Sequence, residues 1–225
     1  MPIHVSRIRA VCFDVDGTLS NTDDQYVAKL AHWLRPLRPV LPEQNPRRLA
    51  RRLVMASEAP ANFLIGLPDK VGLDKPIYAL SDWTARTFHR KVGRYWLMPG
   101  VKEMLAELSQ RYPLAVVSAR DRRTTHDFLE EFDLLRYFRC VATDQTCAHT
   151  KPYPDPILWA AGQMGVAPEA CLMVGDTWVD IRAGHAAGAQ SLGVLCGFGA
   201  QRELQRNGAD MILTETAELG QVLEA

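Results

Sequence analysis

The chain has 225 residues, 47% of them hydrophobic and 23% charged, which suits one domain or a core with a smaller accessory domain and excludes disordered, collagen-like and disulfide-stapled classes. Lysine plus arginine number 26 and so do aspartate plus glutamate, so no global field draws the chain to nucleic acid or an anionic membrane. The five cysteines (Cys12, Cys140, Cys147, Cys171, Cys196) are odd in number and form no C-x-x-C pair, which argues against a zinc site or a secreted disulfide framework and predicts a reducing, cytoplasmic setting.

The first strand is expected over 8–13. Arg7, Arg9, Asp14 and Asp16 interrupt the apolar stretch there, so no signal-peptide core is expected, and no run elsewhere approaches the ~18 apolar residues of a membrane span. The next segment changes character. Over 20–99 there are 13 Lys/Arg against 7 Asp/Glu, whereas the remainder carries 13 against 19, so a cationic region interrupts an acidic one. It shows helix signals, with Asn45 and Pro46 as cap and first turn and Pro76 opening a run through Ile77, Leu80, Phe88 and Val92 to Gly93. No strand is convincing within it, and it reads as a helical insertion.

After the insertion, apolar runs and helix-period segments alternate. Strands are expected over 114–117, 140–142, 171–174 and 191–195, with a weaker one over 211–213. Helices are expected over 101–110, 122–132, 156–164, 179–187, 201–206 and 215–223. Near-continuous apolar strands separated by helices are the signature of a sheet covered on both faces. The fold class is therefore α/β, a doubly wound, mostly parallel, Rossmann-like sheet with right-handed crossovers. The core is assigned to 1–19 and 98–225, and an α-helical cap to 20–97.

In such a sheet the loops after the strands form the ligand crevice. The first strand ends in Asp14-Val15-Asp16-Gly17-Thr18, the second in Ser118, and the fourth in Gly175-Asp176-Thr177, with Asp180 one turn further and Lys151 in the loop after the third. Four carboxylates in one crevice repel one another and resist ionisation. A divalent cation resolves that, and oxygen ligands beside a substrate phosphate suit Mg²⁺. The lysine and hydroxyl are then phosphate contacts, which leaves a carboxylate to attack phosphorus.

In order and spacing, Asp14-x-Asp16-Gly17-Thr18, Ser118, Lys151-Pro152 and Gly175-Asp176-x-x-x-Asp180 resemble the four motifs of the haloacid dehalogenase (HAD) superfamily. The stretch over 151–188 is most similar to phosphoglycolate-phosphatase-like members. The resemblance implies a Mg²⁺-dependent phosphatase acting on a small phosphorylated metabolite. Asp14 then resembles the nucleophile that forms an aspartyl-phosphate, and Asp16 the general acid/base. Asp14, the Asp16 carbonyl and Asp176 resemble the metal ligands, with Asp180 holding a metal-bound water or the lysine. Ser118 and Lys151 resemble the phosphoryl-binding groups, with the Ala119 N–H as a further contact, and Thr18 steadies the loop of Asp16 beside the phosphate.

Two departures stand out. Ala119 and Arg120 follow the motif hydroxyl where many relatives have Asn, which raises the question whether Arg120 reaches the substrate. Trp178 is bulky for a cleft and is expected to point elsewhere. Some features have plainer readings. Asp16-Gly17 alone would be an ordinary turn pair, and Thr177 a helix cap. Arg47, Arg48, Arg51 and Arg52 around Leu49 and Leu53 read either as a solvated helix face or as a field that steers an anion. His32, His89, Cys147 and His149 lack ligand-spaced companions, and Phe198 between two glycines marks a loop without an assigned role. The alternatives left open are a phosphomutase or 2-haloacid dehalogenase on the same scaffold and, from another class, a phospho-accepting receiver module. No nucleic-acid or membrane partner is expected, and the assembly is read as a monomer or small homo-oligomer.

Overall fold

A computed structural model gives the structure of residues 3–21, 33–35 and 95–224. The chain divides into two compact units, Met1–Thr22 with Tyr95–Ala225, and Asp23–Arg94. The helix signals at 45–46 and 76–93, the four cap arginines, His32 and His89 lie outside the described residues.

The first unit is built on six parallel strands, β1 (Ala10–Phe13), β2 (Leu114–Val117), β3 (Phe138–Ala142), β4 (Cys171–Gly175), β5 (Gln190–Val194) and β6 (Met211–Leu213). They lie in the order β3-β2-β1-β4-β5-β6. The described helices are α1 (Val101–Leu108), α2 (Arg122–Glu131), α3 (Asp155–Met164), α4 (Trp178–Ala186), α5 (Gln201–Arg206) and α6 (Leu219–Glu224). Among them no helix is long and apolar enough to cross a membrane.

The central strands β1, β2 and β4 are apolar and fully buried because their side chains alternate between two covered faces. Val11, Phe13, Val116 and Val174 join one buried cluster with residues of α1, α2 and α6. Ala10, Cys12, Ala115 and Met173 join the other, against α3 and α4. The second face is lined by small residues, so Ala160, Ala161 and Ala183 pack close to the sheet.

The sheet order places the reversal of strand sequence between β1 and β4, the crevice where ligands bind in open α/β sheets. Their register pairs Phe13 with Val174, and the Asp14 N–H donates to the Val174 carbonyl at 2.9 Å. The residues that follow these two strands are therefore held side by side. The chain enters and leaves the insertion through a short antiparallel pairing, with Asn21 N–H on the Trp96 carbonyl at 2.7 Å and Met98 N–H on that of Leu19 at 2.9 Å.

Boundaries differ from the expected ones where tertiary pairing overrides pattern. β3 starts two residues early, directly after the 3₁₀ turn Leu135–Tyr137, because an edge strand partly open to solvent carries no continuous apolar run. The expected last helix begins as a separate 3₁₀ turn, Thr216–Glu218, where Thr216 Oγ1 donates to the Thr18 carbonyl at 2.8 Å and ties that turn to the β1 loop.

Candidate active site

Asp14 directly follows β1 and is almost wholly buried. Lys151, from the loop after β3, is buried too, and its Nζ donates to Asp14 Oδ1 at 2.7 Å and to Asp180 Oδ1 at 2.6 Å. Asp180 is placed by the start of α4. Its Oδ2 accepts from both the N–H and the hydroxyl of the cap residue Thr177, at 3.0 and 2.8 Å, a reciprocal cap that satisfies groups a helix start would otherwise orphan. Asp180 thus caps a helix and anchors the lysine at once.

Asp176 is fully buried after β4. Its Oδ2 accepts the Phe198 N–H at 2.7 Å, which gives the Gly197-Phe198-Gly199 loop a role that its sequence did not announce. The loop cradles a carboxylate through a backbone donor, and only the flanking glycines hint at the close approach. A Cβ built on Gly197 would lie 2.2 Å from Asp176 Oδ2. Gly17 is as constrained, with φ of +72° and an added Cβ again 2.2 Å from that oxygen.

Among the described residues, Asp14, Asp176 and Asp180 form a buried group in which one carboxylate oxygen of each lies within 4.8 Å of the others. Burial pushes the Asp14 carboxyl up to about 7, with Asp180 and Asp16 adding to the rise and Lys151 opposing it. For Lys151, burial works against the charge, but Asp14 and Asp180 outweigh it and hold the ammonium well above its ordinary range. Buried carboxylates this close, one of them resisting ionisation, are a donor set that a hard divalent cation fits.

Asp16 stands at the edge of this group, half-buried, in a turn closed by the Gly17 N–H on the Ser20 carbonyl at 2.9 Å. Its Oδ1 accepts from Arg120 at 2.6 Å. Thr18 is wholly buried behind the turn, with its N–H on the Val15 carbonyl at 3.3 Å and its carbonyl accepting from Thr216, so the phosphate contact expected of its side chain is not open to the crevice. Ser118 directly follows β2, with its N–H on the Ala142 carbonyl at 3.0 Å and its Oγ accepting the Arg120 N–H at 3.2 Å. Ala119 is exposed beside it. Trp178 lies under the Arg182 guanidinium, 5.1 Å from ring centroid to charge, on one face of α4. His149 pairs with Asp155 at 3.1 Å, and neither it nor Cys147 enters the acidic group.

Residues 11–194 match the family model of the haloacid dehalogenase-like hydrolases. The chain belongs to this family. As a haloacid dehalogenase-like hydrolase it is an enzyme, and the family is the one its four motifs resemble. It is 34% identical to a phosphoglycolate phosphatase of Nitrosococcus oceani over 131 residues, 58% of each chain. With pyrophosphatase PpaX of Anoxybacillus flavithermus it shares 29% over 219 residues, 96% of this chain and 97% of that one. A crystal structure of a hydrolase from Pseudomonas syringae has the same fold, with a TM-score of 0.68 at 24% identity over 96% of this hydrolase and 98% of its own chain.

Proposed function

We propose that the chain hydrolyses a small organic phosphomonoester through an aspartyl-phosphate on Asp14. The observation that carries this reading is the buried ammonium of Lys151 shared by Asp14 and Asp180 beside Asp176, a charge arrangement suited to a dianionic group brought to a carboxylate nucleophile. Relatives named for phosphoglycolate and pyrophosphate hydrolysis support the choice of a phosphate substrate.

Asp14 attacks phosphorus, and the bond from phosphorus to the ester oxygen breaks as Asp16 gives that oxygen its proton. Asp16, now a carboxylate, takes a proton from water. The water oxygen bonds to phosphorus, the phosphorus–Asp14 bond breaks, and inorganic phosphate leaves with Asp14 regenerated. Lys151 and Ser118, with the Ala119 N–H, hold phosphoryl oxygens and steady their charge. Asp14, the Asp16 carbonyl, Asp176 and Asp180 are the residues that would hold Mg²⁺, which when bound neutralises charge on the phosphoryl oxygens and the carboxylates. The setting proposed is the cytoplasm, and the cationic insertion is proposed as the cap that meets the leaving group.

A panel of phosphorylated metabolites assayed with Mg²⁺ and with excess chelator tests the reading. Turnover of at least one monoester, abolished by chelator and restored by Mg²⁺, is expected. Inertness toward every ester, or full activity in chelator, would overturn it, the latter pointing to dehalogenation.

A further inference from the structure

Arg120 follows Ala119, which stands where the motif resemblance leads one to expect an amide side chain, and it does not behave as a surface arginine. Its backbone is fixed on both sides. The N–H donates to Ser118 Oγ at 3.2 Å, and the carbonyl accepts the Asp144 N–H at 3.1 Å, which ties the ends of β2 and β3 together. The guanidinium lies over the rings of Tyr95 and Phe128, at 5.5 and 5.9 Å from the centroids. Those rings meet edge to face at 5.8 Å. A planar, weakly hydrated cation on aromatic faces loses little further freedom when it binds. Its tip reaches Asp16 Oδ1 at 2.6 Å, with only 15% of the arginine side chain and 33% of the aspartate side chain exposed.

We propose that Arg120 is a positioning residue that aims the Asp16 carboxylate for proton transfer. The inference rests on the reading of Asp16 as acid/base given above. Asp16 sits on a turn rather than a strand, so the rotamer of its side chain is not set by regular backbone pairing. The sheet ends and the aromatic pair set the arginine, and the arginine sets the carboxylate. A proton donor must lie within hydrogen-bond reach of the leaving oxygen, and a misplaced group loses rate without weakening substrate binding. A direct substrate contact from Arg120 would do the reverse.

The test uses two esters, para-nitrophenyl phosphate, whose leaving group needs little protonation, and a glycerol phosphate, whose alkoxide needs it. In the full-length protein with Mg²⁺, Arg120→Met should lower kcat on the glycerol phosphate by about 10²-fold, the scale of loss for a misplaced catalytic group, with KM near the wild-type value. The loss on the aryl ester should be clearly smaller. In an Asp16→Asn background the same substitution should cost nothing further, and Arg120→Lys, which keeps the charge but not the fork, should recover part of the alkyl rate. An equal loss from Arg120→Met with and without Asp16 would overturn the proposal, as would a raised KM with kcat intact. If the methionine variant does not fold, Arg120→Lys in the two backgrounds supplies the same comparison. If the wild type hydrolyses no monoester of the panel, these two included, the functional reading fails and this inference falls with it; if only another alkyl ester of the panel is turned over, that ester takes the place of the glycerol phosphate. If Asp16→Asn selectively loses the alkyl ester while Arg120 shows no coupling to it, the inference alone fails.

Discussion

Lys151→Met removes the ammonium that stands 2.7 Å from Asp14 and 2.6 Å from Asp180 and leaves a side chain of similar length. Both carboxylates stay buried, and their own mutual repulsion is no longer offset. Stripping one partner from a buried ion pair costs about 3–5 kcal/mol because a charge is left without compensation. Here the loss should lie toward the lower end at neutral pH, since Asp14, already pushed up to about 7, rises further without Lys151 and takes a proton, which leaves Asp180 as the uncompensated carboxylate. The deficit should shrink in acid, where the carboxylates accept protons and the repulsion disappears. A cation bound to the same carboxylates replaces the missing charge, so Mg²⁺ should stabilise the variant more than the wild type, by the linkage between binding and folding. Urea unfolding at neutral and acidic pH, with and without Mg²⁺, reads all three effects. A change in stability under about 1 kcal/mol, within the range of exposed pairs, would show that Lys151 does not hold these carboxylates together, and so would a Mg²⁺ effect equal in both proteins.

Two further outcomes follow from the same site. Gly197→Ala places a Cβ 2.2 Å from Asp176 Oδ2, so the loop or the carboxylate must shift. The variant should fold and lose Mg²⁺ affinity by about ten-fold or more, the scale seen when groups that orient metal ligands are disturbed; Mg²⁺ titration followed by activity checks this, and wild-type affinity would contradict it. The Asp14 carboxyl, pushed from an ordinary 3.8 up to about 7, binds its proton more tightly in the folded chain than in the unfolded one. Without cation its contribution to stability therefore falls as pH rises from 3.8 to about 7. Mg²⁺ competes with that proton, so the rise in Tm on adding Mg²⁺ should grow across the same window and level off above it. A rise in Tm that is flat across that window would contradict the argument.

The parallel sheet was legible in the sequence because strands covered on both faces must be apolar at every position, as Leu114–Val117 is at its expected bounds; Met211–Leu213, also found at its expected bounds, is a half-buried edge strand that happens to be apolar. The other edge strand, Phe138–Ala142, was less legible, since partial exposure admits Arg139 and breaks the run. At the site, residues directly after strands were legible from position alone, and Asp14, Asp176, Asp180 and Lys151 do come together. The partners of those residues were not. Arg120 and Asp16 are 104 positions apart, and nothing local marks the arginine as facing an aspartate rather than a substrate. Phe198 serves Asp176 through its backbone N–H, a donor that every residue but proline carries, so side-chain chemistry could not have revealed it. Thr177 was readable as a cap and Asp180 as a site residue, and the structure uses Asp180 for cap and lysine together.

Phosphoryl transfer through Asp14 requires a covalent phosphoryl-enzyme in every turnover. A single-turnover reaction quenched in acid within the first turnover, digested and mapped by mass spectrometry, tests it most directly. One phosphoryl group is expected on the peptide that carries Asp14, formed and lost at rates consistent with turnover, and none in Asp14→Asn, which should fold normally and lose hydrolysis by several orders of magnitude. Turnover without any protein-bound phosphoryl group, or Asp14→Asn with near wild-type activity, would contradict it.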